Sequence, residues 1–257
     1  MDVITSLTNG RVKRLVALQQ KSSERQQAGV FVVEGLRELE RCQAAGLEVE
    51  QVYYCPAILV QLPPMGTAEV FEVTQPVYEK IAYRGGTEGV IAIVKTRTIT
   101  LADLQLSASP LIVVLESEEK PGNLGAVLRS ADAAGADAVI VCDPLTDLWN
   151  PNLVRSSTGA IFSMPCVACS SDECIAFLKQ RGIAILTAQL QDSELYYDID
   201  MTRPTAIVMG TEATGLTDVW RRAADAHIRI PMLGTVDSLN VSVSAAILMY
   251  EAVKQRH

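Results

Sequence analysis

Three short segments place polar side chains where a fold concentrates chemistry. The first, ESEEKPGNLGAVLRSADAAG, follows an apolar run and carries Asn123 and Arg129. By type alone Asn123 suits a helix cap and Arg129 a surface helix position, and neither residue by itself points beyond that. The second, Gly210-Thr-Glu212-Ala-Thr-Gly215, is a glycine turn between a buried run and a helical one. Glycines there let a ligand approach the backbone, and the Glu212 carboxylate suits either a bound group or the free N–H donors of the next helix. The third runs from Pro231 to Ala246. In it Ser238 and Asn240 are placed to cap the last helix, and Ser242 and Ser244 keep its first turns small enough for another backbone to come close. Neither G-x-G-x-x-G nor G-x-x-x-x-G-K-[ST] occurs in the first segment, so a Rossmann dinucleotide site and a P-loop have little support.

Six cysteines, Cys42, Cys55, Cys142, Cys166, Cys169 and Cys174, read as free thiols. Cys166-x-x-Cys169 followed by Cys174 invites a zinc or redox reading, but the two histidines are His227 and His257, and PCVAC reads as a buried strand. Core thiols and no metal are the expectation. The 257 residues carry 22 bases and 30 acids, a net charge of −8, which argues against coating nucleic acid by bulk electrostatics. A local patch opposes that trend: Arg11, Lys13, Arg14, Lys21 and Arg25 face the single acid Glu24 between positions 9 and 25. Composition, 49% hydrophobic and 20% charged, is that of a globular protein. With no apolar run of membrane length and no signal-peptide h-region at the start, a cytoplasmic protein, or one imported after loss of a presequence, is expected.

The elements that must position these residues fall into two groups. In the first half, a helical pattern at 11–20, a strand at 30–35, a helix at 36–45, strands VEQVYYC and AEVFEV, a helix QPVYEKIAY and a strand at 89–94 make a small α/β unit. Periodicity lapses over 96–110. Beyond it, LIVVLE, DAVIVC, IAILTA, PTAIVMG and AHIRI alternate with helical segments at 123–134, 170–181 and 216–224, and a helix from Asn240 to about Gln255 closes the chain. Continuous apolar strands between helices predict a parallel sheet covered on both faces, with ligands outside the strands' carboxyl ends. The expected domains are 1–98 and 108–257.

NLGAVLRSADAAGADAVIV, IVMGTEATGL and IPMLGTVDSLNVSVSAAILMYEA, in that order, resemble the three motifs of the SpoU-type (TrmH-like) RNA 2′-O-ribose methyltransferases of the SPOUT superfamily. Arg155-Ser-Ser-Thr-Gly-Ala-Ile-Phe is similar to the family's loop after the second strand, and TNGRVKRLVALQQKSSERQQAGVFVVEG resembles the ribosomal-protein-like RNA-binding domain of its ribosomal-RNA members. The resemblance implies a C-terminal α/β domain tied in a deep trefoil knot, an exception to the un-knotted rule, after a small ribosomal-protein-like α/β domain. It implies S-adenosylmethionine held by Gly210, Ile230 and Leu239 with Met232 and Val241 beside them, and a reactive set of Arg129, Asn123, Glu212, Ser238 and Asn240. It further implies a homodimer in which Arg129 works beside the other subunit's cofactor; because the chain is acidic, RNA binding must then depend on a few local bases, Arg11, Lys13, Arg14, Arg25, Arg84 and Arg155, with Tyr83 stacking on a splayed base. Arg155 is expected beside the active site. Since a guanidinium is protonated at neutral pH, Arg129 is read as a stabiliser of the developing alkoxide. Large-subunit ribosomal RNA is the expected substrate; transfer RNA, or a non-catalytic RNA-binding or assembly role, are the alternatives.

Overall fold

The computed structural model describes residues 2–83, 88–211 and 213–257. Arg84 and Glu212, both singled out above, lie outside them. The chain divides into two units, one of residues 1–97 with 147–162, the other of 98–146 with 163–257.

In the first unit, β1 (Asp2–Ile4) leads through α1 (Gly10–Gln20) and α2 (Ser22–Ala28) to β2 (Val30–Glu34). Then come α3 (Leu36–Ala44), β3 (Val49–Tyr54), β4 (Glu69–Val73), α4 (Gln75–Ile81) and β5 (Val90–Lys95). The sheet order is β1-β4-β3-β5-β2, with β5 antiparallel to both neighbours. Asn9 caps α1 by accepting from Arg11 N, and the apolar spacing Val12, Leu15, Leu18 buries one face against Phe71, Val77, Tyr78 and Ile93. By contrast α2, SSERQQA, has no apolar stripe and was not predicted. Its Arg25 is 3% exposed, pairs with Asp147 at 2.7 Å, and donates to the Leu18 and Gln19 carbonyls. One guanidinium thus satisfies the open end of α1 and anchors α2. This corrects the reading of Arg25 as an RNA contact, since its donors are spent inside the fold.

The second unit opens with β6 (Leu111–Glu116), α5 (Pro121–Ala133) and β7 (Ala138–Cys142). The following segment, 147–162, was expected to continue this unit but makes its contacts with the first. It holds α6 (Pro151–Ser156) and begins α7 (Ala160–Ser163). Trp149 stacks on Phe31 at 4.2 Å, Arg97 donates to the Phe162 carbonyl at 2.9 Å, and Gly159, at φ +90°, lies against the Arg41 side chain where a Cβ would collide. One aromatic stack, one hydrogen bond to a backbone carbonyl and one glycine contact assign the segment, and none of them is local in sequence.

The second unit resumes with β8 (Cys166–Cys169), α8 (Ser171–Gln180), β9 (Ala184–Ala188), the short β10 (Glu194–Leu195), β11 (Thr205–Met209), α9 (Asp218–Ala223), β12 (Ala226–Arg229) and α10 (Val241–Arg256). The strands form one sheet in the order β10-β12-β9-β11-β6-β7-β8, every pairing parallel. β6, β7 and β11 are buried along their whole length, as a sheet covered on both faces requires. PCVAC departs from expectation: β8 closes the sheet's edge and buries only Val167 fully. Among the described residues no helix is long and apolar enough to cross a membrane.

Candidate active site

β9, β11 and β12 are neighbours in the sheet, and the chain leaving each of their carboxyl ends lines one cavity of about 350 Å³. Gln189 follows β9, Gly210, Thr211 and the residues 213–216 follow β11, and Ile230 and Met232 follow β12. Ser238, Leu239, Val241 and Ser244, from the approach to α10 and its first turn, complete the wall. All five residues expected to hold the cofactor, Gly210, Ile230, Met232, Leu239 and Val241, line this cavity, and so does Ser238.

The turn after β11 is held by its own backbone and hydroxyls. Gly215 N donates to the Thr211 carbonyl at 3.0 Å and Thr214 N to Thr211 Oγ1 at 3.1 Å. Gly215 sits at φ +68°, and a Cβ on Gly210 would overlap the Gly215 carbonyl, so both glycines are steric requirements. Below the turn, buried Glu116 at the end of β6 accepts from Thr217 N at 2.8 Å and from Thr217 Oγ1, fixing the entry to α9.

Asn240 caps α10: its Oδ1 accepts from Ser242 N at 3.0 Å and Ser242 Oγ at 2.6 Å, and its Nδ2 donates to Asn123 Oδ1 at 3.1 Å. Asn123 in turn donates to Glu118 Oε1 at 3.2 Å. The structure corrects two capping expectations. α5 begins at Pro121, so Asn123 lies inside its first turn, and Ser238 turns to Asp237 instead of the helix. What Asn123 and Asn240 do is tie the start of α5 to the start of α10. Arg129, further along α5, is exposed and does not line the cavity.

Among the expected RNA contacts, Lys13 is exposed, Arg11 lies over the Phe71 ring at 4.5 Å, and Arg14 pairs with Glu50 at 3.6 Å. Arg155 lines a separate cavity, about 230 Å³, within the first unit, where Tyr83, Glu34, Glu38 and Glu88 are its neighbours. It is not among the residues that line the cofactor cavity of the second unit.

Comparison with known proteins decides the family. Residues 110–250 match the SpoU rRNA methylase family, and residues 9–92 match the MRM3-like substrate binding domain. The chain belongs to the SpoU rRNA methylase family. This SpoU methylase is 31% identical to a 23S rRNA (uridine(2479)-2′-O)-methyltransferase of Streptomyces viridochromogenes, over 96% of this chain and 91% of that one. A solved RNA 2′-O ribose methyltransferase is similar at 40% identity and TM-score 0.86, over 99% of both chains. An AdoMet-bound rRNA methyltransferase from Sinorhizobium meliloti is similar at 30% identity and TM-score 0.90, covering 98% of this chain and 97% of its own.

S-adenosylmethionine fits what the SpoU methylase cavity offers. The volume falls within the roughly 300–1,000 Å³ typical of small-molecule sites. Ile230, Met232, Leu239 and Val241 give an apolar wall for a purine, and Gly210 and Gly215, without side chains, line the cavity with main chain. Two further wall residues escaped the sequence reading: Gln189 Oε1 and Arg221 Nε are buried without a hydrogen-bond partner. An unpaired buried acceptor and donor are costly, and both side chains belong to residues of the cavity wall. Their one sequence signal was position, Gln189 directly after a buried strand and Arg221 on the helix after the glycine turn.

Proposed function

We propose that the protein transfers a methyl group from S-adenosylmethionine to a ribose 2′-hydroxyl of 23S-type ribosomal RNA. The observation that carries the reading is the cavity off the carboxyl ends of β9, β11 and β12, with its glycine turn and apolar wall. The relatives' names supply the substrate class, and the match of residues 9–92 to a substrate binding domain supports RNA capture by the first unit.

In this reading the cofactor, when bound, supplies a methyl group on a sulfonium, and the ribose oxygen forms the new bond to carbon. Gly210, Ile230, Met232, Leu239 and Val241 hold it, with Gln189 and Arg221 of the same wall as its proposed polar contacts. Arg129 stabilises the developing alkoxide; as a guanidinium it is protonated at neutral pH and acts by charge, not as the base. Asn123, Asn240, Ser238 and Glu212 position the loops around the reacting hydroxyl. The Asn240–Asn123 bond supports this role by tying the segment that lines the cavity to the helix that carries Arg129. Arg11, Lys13, Arg14 and Arg155 are the proposed phosphate contacts.

The active form is a homodimer, in which Arg129 of one subunit serves the cavity of the other. Its support is that Arg129 is exposed and outside its own chain's cavity, and that Val243 and Tyr250, two turns apart on α10, are 47% and 49% exposed. The trefoil threading of the C-terminal segment belongs to the same reading. Isothermal titration with S-adenosylmethionine and methyl transfer to 23S ribosomal RNA in vitro test the proposal together. Binding with transfer supports it; no measurable cofactor binding by the folded protein removes it.

A further inference from the structure

Three thiols that the methyl transfer does not use converge in the second unit. Cys142 ends β7, Cys169 ends β8 and Cys174 lies in the first turns of α8. Their Sγ atoms all lie within 4.8 Å of one another. The parallel register makes the site: Cys142 pairs with Cys169, while Cys166 is level with Val139. Because successive strand side chains alternate, residues three apart point to opposite faces. Cys166-x-x-Cys169 is therefore not a chelating pair, and Cys142, which no spacing pattern marks, takes the place of Cys166.

The surroundings hold this geometry and leave it all sulfur. Asp143 accepts from Ser171 N at 3.2 Å and Ser171 Oγ at 2.6 Å, and Trp220 Nε1 donates to Ser171 Oγ at 2.9 Å. That network fastens the start of α8 to the end of β7. Glu173 accepts from Ser170 N and Ser170 Oγ at 2.9 and 2.7 Å. The nearby carboxylates are thus engaged elsewhere, and among the described residues no fourth His, Cys, Asp or Glu joins the group. Cys142 and Cys174 are buried and Cys169 is partly exposed, which gives an entry side.

We propose that Cys142, Cys169 and Cys174 form a three-sulfur binding site for a single thiophilic d¹⁰ cation. Soft thiolates select Cu(I) and Zn(II) among common metals. A three-sulfur set satisfies Cu(I) as it stands, whereas Zn(II) prefers four ligands and would add a water on the Cys169 side. Bound, the cation clamps the ends of β7 and β8 to α8, a structural role apart from the cofactor cavity, whose lining includes none of the three.

The test uses the reduced full-length protein under anaerobic conditions, titrated with Cu(I) against a chromogenic chelator and, separately, with Zn(II). The expected result is one cation retained per chain, a sulfur-to-metal charge-transfer band for Cu(I), and a melting temperature raised by about 3 °C or more. Cys169→Ser and Cys174→Ser weaken binding by more than the roughly 10–100-fold typical of losing an outer-shell partner, and Cys166→Ser leaves it unchanged. If buried Cys142→Ser does not fold, the partly exposed Cys169→Ser carries the test, with circular dichroism of the metal-free variant as its folding control. Retention of Zn(II) alone, with the same cysteine dependence, also supports the site and assigns the cation. Failure to retain either cation at one per chain overturns it, as does binding that survives Cys169→Ser with Cys174→Ser.

Discussion

Arg129 is asked to stabilise charge at a reacting oxygen, whereas Arg25, also a guanidinium, is sealed inside the first unit, and the two should fail differently when removed. Arg129→Ala is expected to lower kcat by about 10²–10³, the size of losing one oxyanion donor, while cofactor affinity measured by titration stays at the wild-type value. Arg129→Lys should keep most of the activity at pH 7 without gaining an alkaline dependence, as a purely electrostatic role requires. Arg25→Ala should strip half-buried Asp147 of its ion-pair partner and the Leu18 and Gln19 carbonyls of their donor, costing about 1–3 kcal/mol, read as a lower urea midpoint. Gln189→Leu should raise KM for S-adenosylmethionine roughly tenfold with kcat little changed, because a good hydrogen bond is worth about 1.5 kcal/mol; an unchanged KM would remove Gln189 from the cofactor site. The cavity residues Gly210, Ile230, Met232, Leu239 and Val241 were legible from motif resemblance. Gln189 and Arg221 were not, because a polar residue beside a buried strand looks the same whether it faces solvent or a ligand. Arg25 was misread because a base in a basic stretch gives no sign that its donors close a helix end.

Among the elements, the alternation of continuous apolar runs with helices was enough to expect a parallel sheet and a site at its carboxyl edge. The order in which strands pair is set by contacts distant in sequence, and so is the Trp149–Phe31 stack that helps give 147–162 to the first unit. Those were invisible to periodicity, as was α2, whose SSERQQA has no apolar stripe and depends on a single buried arginine. α10 shows the opposite case: its small residues read equally well as core or interface, and the structure leaves Val243 and Tyr250 half exposed on one side. If that side joins two subunits, Val243→Glu with Tyr250→Glu should convert a dimer to a monomer in light scattering and abolish methyl transfer. A variant that remains dimeric and active would place the interface elsewhere.

For the whole molecule, net charge and proposed substrate pull in opposite directions. A chain with a charge of −8 must hold RNA through a few local bases, so the dependence of log K on log salt should be shallow. Each of Lys13→Ala and Arg14→Ala should reduce that slope by about one, if its side chain meets a phosphate. The central claim, ribose methylation of large-subunit RNA, is tested most directly by mapping 2′-O-methyl groups in total RNA from cells lacking the gene, complemented with wild type or Arg129→Ala. The account predicts that one 23S position loses its methyl group and that wild type alone restores it. No change at any ribosomal RNA position, or full restoration by Arg129→Ala, would contradict it.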